Sequence, residues 1–162
     1  MGSREAARAI EAASKLESRL KKYKWNAPIK GLSNKDAVKT ADTVILTIPY
    51  DALKDIVDDL GRQLRNKLIV DVIVPYKLRS PLLLDSSMIQ RYKRHFGPGK
   101  LPSVTEELYM YLQTRFAYTP RLVAALKTIS FKRLMSPDTP LNQPILVWGY
   151  ESRDLQAVES IL

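Results

Sequence analysis

With 162 residues, 45% of them apolar and 27% charged, and a mean hydropathy of -0.21, the chain is long enough for one ordinary buried core and too short for two. The absence of cysteine excludes disulfides and thiolate chemistry, a single His95 excludes a histidine-rich metal cluster, and the longest apolar stretch, 68–75, is broken by Asp71 and falls short of the roughly 20 residues a membrane span needs. The net charge of +9 is concentrated early, ten Lys or Arg against four acids in residues 1–40, which suits a polyanion, a phosphate-bearing cofactor or simply a solvated helix surface.

Met1-Gly2-Ser3-Arg4 opens directly onto a helical pattern, with no strand in front of it and no apolar run of the secretory kind, so a cytoplasmic location is expected. Across 4–24, Ala6, Ile10, Ala13, Leu16 and Leu20 recur at helical spacing. Pro28 and Gly31 bracket a segment at 29–32 that is weak as a strand, and Asn34 offers a cap for a short helix ending at Thr40. The β-branched run 44–48, ended by Pro49, reads as a buried strand. Ala52, Leu53, Ile56, Val57, Leu60 and Leu64 then form a helical stripe, with Asp51, Asp55, Asp58 and Asp59 gathered toward its positive end. A second apolar strand spans 68–74 and stops at Pro75, so a right-handed βαβ unit is predicted.

Residues 76–102 change character. Pro81, Pro98, the Gly97-Pro98-Gly99 turn and a basic cluster of Arg91, Lys93, Arg94 and His95 read as a loop with one helical turn. Ser103 with Glu106 three residues on predicts a capping box and a helix to Phe116. Strands are predicted at 121–128 and 145–148, and Pro137, Pro140 and Pro144 exclude a long helix between them. A last helix begins near Ser152 and runs on toward Leu162 without an end signal. Together these elements predict an α/β fold, a Rossmann-like and mostly parallel sheet with flanking helices, in a single domain at 1–162.

Gly2-Ser3-Arg4 before a helix, Thr47-Ile48-Pro49-Tyr50 after a strand, Val74-Pro75 after the next, and Ala125-Leu126-Lys127-Thr128-Ile129 in a later strand follow one another in an order that resembles the deazaflavin (coenzyme F-420)-dependent NADP oxidoreductases. That family is mostly archaeal, and a related domain occurs in some metalloreductases. The similarity covers nearly all of 2–162 but maps onto the interior of such a protein, so an NADP-binding domain truncated at both ends is expected. The resemblance implies hydride transfer between NADP(H) and a deazaflavin or flavin-type acceptor. It puts Ser3 and Arg4 on the 2′-phosphate of NADP, with Arg8 as a third contact one turn on. Ile48 and Val74, with Pro49 and Pro75, would line the ribose and nicotinamide side. The chemistry of these residues agrees, because a hydroxyl and two cations at a helix N-terminus make a phosphate site. The same residues also read as a helix cap with two solvated arginines, and the prolines as strand terminators.

The sequence departs from that family in several places. Its six glycines, Gly2, Gly31, Gly61, Gly97, Gly99 and Gly149, form no G-x-G-x-x-G, so the first strand and its phosphate turn are expected to be missing from it. The pyrophosphate then loses its backbone donors, and the chain as it stands is expected to bind NADP weakly or not at all and to be inactive. Lys127 stands where the family commonly shows a His, followed by Ser130-Phe131 in place of small residues, and the helices that complete the deazaflavin pocket and the dimer are not found. No catalytic residue is named, which suits chemistry carried by two cofactors. Loss of a central strand is expected to expose the edge of the 44–48 strand and to drive self-association or exchange of elements between copies. Two other readings stand beside this one. The first is a degenerate, non-catalytic nucleotide-binding or protein-interaction module. The second is a basic nucleic-acid-binding protein, for which Arg91, Tyr92, Lys93 and Arg94 speak but no recognition motif does. His95 reads as exposed, Asp71 as a paired or rim carboxylate, and Tyr109 and Tyr111 as helix residues without a site.

Overall fold

A computed structural model describes residues 1–24, 26–75, 81–134, 138 and 141–162. It divides into two compact units, Met1–Asp42 and Thr43–Leu162.

In the first unit a two-residue strand, β1 (Gly2–Ser3), precedes the first helix, where the sequence reading places none. It pairs in parallel with β2 (Leu32–Ser33), and strands this short lie below the length at which alternation carries a signal. Helix α1 (Ala6–Leu20) runs into a 3-10 turn at Lys21–Tyr23. Its buried residues are Ala9 and Ala13, whereas Ile10, expected on the apolar face, is 55% exposed. The reason is a close backbone approach. A Cβ added at Gly31 would lie 2.2 Å from the carbonyl carbon of Ala9, so this face accepts only small residues. Helix α2 (Asn34–Thr40) forms as expected, but its cap is Ser33, whose Oγ accepts from the Asp36 amide, rather than Asn34.

The second unit holds the apolar strands. β3 (Thr43–Leu46) and β4 (Leu68–Asp71) pair in parallel and are joined through α3 (Leu53–Leu60), which buries Leu53, Ile56, Val57 and Leu60 as the stripe predicts. All four residues of β4 are buried, but β3 is not the buried strand expected, because Ile45 is 49% exposed. β5 (Arg121–Ala124) lies parallel to β4, and β6 (Trp148–Gly149) closes the order β3-β4-β5-β6 by antiparallel pairing. β5 is shorter than the predicted 121–128, since Leu126 adopts φ +58°, a left-handed turn that ends the ladder. β6 sits later than the predicted 145–148 for want of pairing before Trp148.

Residues 86–96 overturn the reading of 76–102 as a loop. They form α4 (Ser86–Phe96), capped by Asp85, whose Oδ1 accepts from the amides of Ser87 and Met88 at 2.8 and 2.9 Å. Lys93, Arg94 and His95 occupy its last turn, where cations suit the helix dipole, and Gly97 at φ +109° ends it. The prolines and glycines that suggested a loop flank the helix instead of interrupting it. His95 is exposed, as read, but on this helix. Residues 76–80 of that segment, and Pro137 and Pro140, lie outside the described residues. The capping box at Ser103 and Glu106 is present and opens α5 (Val104–Phe116). After α6 (Phe131–Leu134), α7 (Ser152–Glu159) ends at Ser160, short of the expected run toward Leu162.

Candidate functional site

In register, β3 and β4 finish side by side, Leu46 opposite Asp71. The carboxyl ends of adjacent parallel strands form the edge at which open α/β sheets hold ligands. Ile48 and Pro49 leave this edge two and three residues after β3, and Val74 and Pro75 three and four residues after β4. The second unit thus brings four of the predicted residues to one edge. Ile48 is half-buried, Pro49 and Pro75 are exposed, and Val74 is 55% exposed, so apolar surface is available there.

Asp71 closes β4 and is fully buried, a paired carboxylate and not a rim one. Its Oδ1 accepts from the Ile73 amide at 2.8 Å, and its Oδ2 from Thr105 Oγ1 at 2.7 Å and Lys127 Nζ at 2.6 Å. Lys127 also donates to the Ile73 carbonyl at 2.7 Å. One carboxylate therefore ties together the ends of β4 and β5 and the start of α5.

A second buried carboxylate, Glu107, lies two residues after Thr105 on α5, and no motif in the sequence marks it. Glu107, 1% exposed, accepts from the Tyr50 hydroxyl at 2.8 Å and from the Leu83 amide. Tyr50 in turn accepts from the Leu82 amide at 3.0 Å. Burial pushes the Glu107 carboxyl above its ordinary range, opposed by these donors, and burial with the Glu107 charge pushes Tyr50 up to about 12. The pair anchors Tyr50, directly after Pro49, to α5. Tyr111 also has partners, its hydroxyl donating to Asp58, which bonds Lys54 at 2.5 Å, and Tyr109 packs against Tyr150 with centroids 4.3 Å apart and the rings tilted by 40°. A cavity of about 600 Å³ lies between α3, α5 and the start of α4, lined by Lys54, Asp58, Leu83, Met88, Tyr111 and Arg115 among others, none of them a predicted site residue.

The remaining predicted residues lie in the first unit, at the start of α1. Ser3 Oγ accepts from the Glu5 amide at 3.4 Å, Arg4 is exposed, and Arg8 pairs with Glu5 at 3.0 Å on the surface. The helix has no side-chain cap and no acid in its first turn. Its leading amides thus combine with a hydroxyl and two cations, a donor set that fits a phosphate. The Arg8–Glu5 pair is no obstacle, because so exposed a pair contributes little.

Residues 1–75 match the family described as NADP oxidoreductase, coenzyme F420-dependent. The F420-dependent NADP reductase of Methanocaldococcus jannaschii is 30% identical over 158 residues, 98% of this chain. The chain thus resembles this family along nearly all of its own length. A second F420-dependent NADP reductase, from Methanothermobacter thermautotrophicus, is 35% identical over 147 residues, 91% of the chain. The chain spans 65% and 57% of the length of these two relatives. The family's Rossmann-like α/β character accords with the parallel pairings β1 with β2, β3 with β4 and β4 with β5. Among the described residues no helix is long and apolar enough to cross a membrane.

Proposed function

We propose that residues 1–162 form one NADP-binding domain of an F420-dependent NADP reductase, acting in the cytoplasm. In it Ser3, Arg4 and Arg8 hold the 2′-phosphate, and Ile48, Pro49, Val74 and Pro75 face the ribose and nicotinamide. The observation that supports this reading is the alignment of the carboxyl ends of β3 and β4, Leu46 opposite Asp71, because Ile48 and Val74 follow these strands at the end where open α/β sheets hold ligands. The nicotinamide and deazaflavin rings supply the hydride chemistry when bound, so the protein has to bind, orient and exclude water and needs no general acid or nucleophile. Isothermal titration with NADP and NAD tests it. Binding weak in these 162 residues but preferring the 2′-phosphorylated form is expected, and equal affinity for both would remove Ser3, Arg4 and Arg8 from the role.

A second reading is a module that has the fold without the activity. On it the fold is kept as a non-catalytic nucleotide-binding or interaction module, and titration with either nucleotide gives no heat. Both readings share a proposal about assembly. Among the described residues β3 pairs on one side only, with β4, and an unpaired edge favours self-association. Light scattering should then report a species larger than one chain.

A further inference from the structure

We infer that Lys127 is a positioning residue that clamps the backbone leaving β4, and so fixes where Val74 and Pro75 stand at the ligand edge. The inference rests on the NADP reading for its purpose but not for its geometry. Past Asp71 the chain leaves the ladder, and residues 72–75 have no strand partner among the described residues. Something else has to hold them. Ile73 has both of its backbone polar groups taken up by the same side-chain pair: its amide donates to Asp71 Oδ1 at 2.8 Å, and its carbonyl accepts from Lys127 Nζ at 2.7 Å. The first bond is an Asx turn, local and available to any chain with Asp at that position. The second is long-range, across 54 residues, and is the one that ties the segment to the turn that follows β5.

Three further features make Lys127 a built element. Its ammonium also bonds Asp71 Oδ2 at 2.6 Å, so the cation is itself aimed by a fully buried carboxylate. Thr105 Oγ1 shares that oxygen at 2.7 Å and holds it against α5. Leu126 before it takes φ +58°, a conformation a branched residue adopts rarely and which turns the chain out of β5 as Lys127 is reached. The result is a buried Ile73, 3% exposed, followed at once by a Val74 that is 55% exposed. An apolar side chain standing at a ligand edge with its neighbour pinned on both polar groups is preorganised for contact.

Replacing Lys127 alone strands a buried carboxylate and invites unfolding. The informative variant is Asp71→Asn with Lys127→Met, which removes the charge and its counter-ion together and leaves an amide oxygen for the Ile73 N–H. Amide exchange followed by mass spectrometry should accelerate about tenfold over 72–74 in this variant, as expected for loss of one hydrogen bond to a cation, while β4 and β5 stay protected. Lys127→Arg, which keeps a cation within reach, should restore protection. NADP affinity by calorimetry should follow the same order, about tenfold weaker in the double variant and regained in Lys127→Arg. Unchanged exchange over 72–74 in the folded double variant overturns the clamp. Faster exchange with unchanged NADP affinity overturns the positioning role. If the unaltered chain shows no NADP binding, the cofactor reading and the positioning role fall together, and the exchange comparison still reports whether Lys127 holds the segment.

Discussion

Tyr50→Phe removes one hydroxyl that serves two buried partners, and its cost follows from the geometry. In the native structure the hydroxyl donates to Glu107 at 2.8 Å and accepts from the Leu82 amide at 3.0 Å. Phenylalanine fills the same space, so no cavity term enters. The Glu107 carboxylate, 1% exposed, keeps the Leu83 amide but loses a donor, and the Leu82 amide loses an acceptor. A hydrogen bond to a charged group contributes about 1.5–3 kcal/mol, and a buried polar group left short of a partner costs about 1–3 kcal/mol. Because both partners keep some compensation, the loss should be about 2–3 kcal/mol. For a chain of this size that corresponds to a fall in Tm of roughly 4–12 °C at roughly 2–4 °C per kcal/mol. Calorimetry or circular dichroism on the two proteins at neutral pH measures it directly. A Tm within about 2 °C of wild type would refute the claim that this pair anchors the Pro49–Tyr50 turn to α5.

Glu107 also gives a pH signature. Its carboxyl is held above the ordinary range by burial, so the folded state binds that proton more tightly than the unfolded state. Its contribution is therefore complete at low pH and is lost as pH rises through the raised folded value. Urea midpoints measured upward from about pH 4 should fall further for wild type than for Glu107→Gln, and parallel profiles would count against the assignment. Arg4→Ala should reduce the preference for NADP over NAD by about tenfold while leaving NAD affinity unchanged, since only the 2′-phosphate is met by that guanidinium. An unchanged ratio in paired titrations refutes it. Ile45→Lys places a charge on the half-exposed edge strand β3 and should shift light scattering toward a single chain. A species of unchanged mass would show that assembly does not use this edge.

How much of this was readable from the residues depended on how local the deciding interaction is. β3, α3 and β4 stand out because their apolar residues come in runs or a stripe: Val44-Ile45-Leu46, the stripe from Leu53 to Leu60, and Leu68-Ile69-Val70. The Ser103–Glu106 box is equally local, two groups three residues apart. Helix α4 was hidden because strong punctuation at Pro81 and Gly97-Pro98-Gly99 outweighed a cap at Asp85 and a basic last turn, both of them present in the sequence. The face of α1 was misjudged at Ile10 because the deciding contact is the backbone at Gly31, 22 residues from Ala9, and no periodicity reports it. Of the candidate site, the strand-end residues were legible as strand ends. The Tyr50–Glu107 and Asp71–Lys127 pairs span 57 and 56 residues, and nothing in either local stretch shows that the two members meet.

The modest interior of the first unit has a practical outcome. Its buried apolar side chains among the described residues are Ala9, Ala13 and Val38, little to set against the entropy of ordering some forty residues. Excursions in which α1 comes apart should be frequent, and that helix presents Arg8, Lys15 and Arg19 to solvent. Trypsin under native conditions should therefore nick the chain there well before it reaches the strands beyond Thr43, and a bound anion at the start of α1 would slow the nicking by mass action, turning protease resistance into a gauge of occupancy.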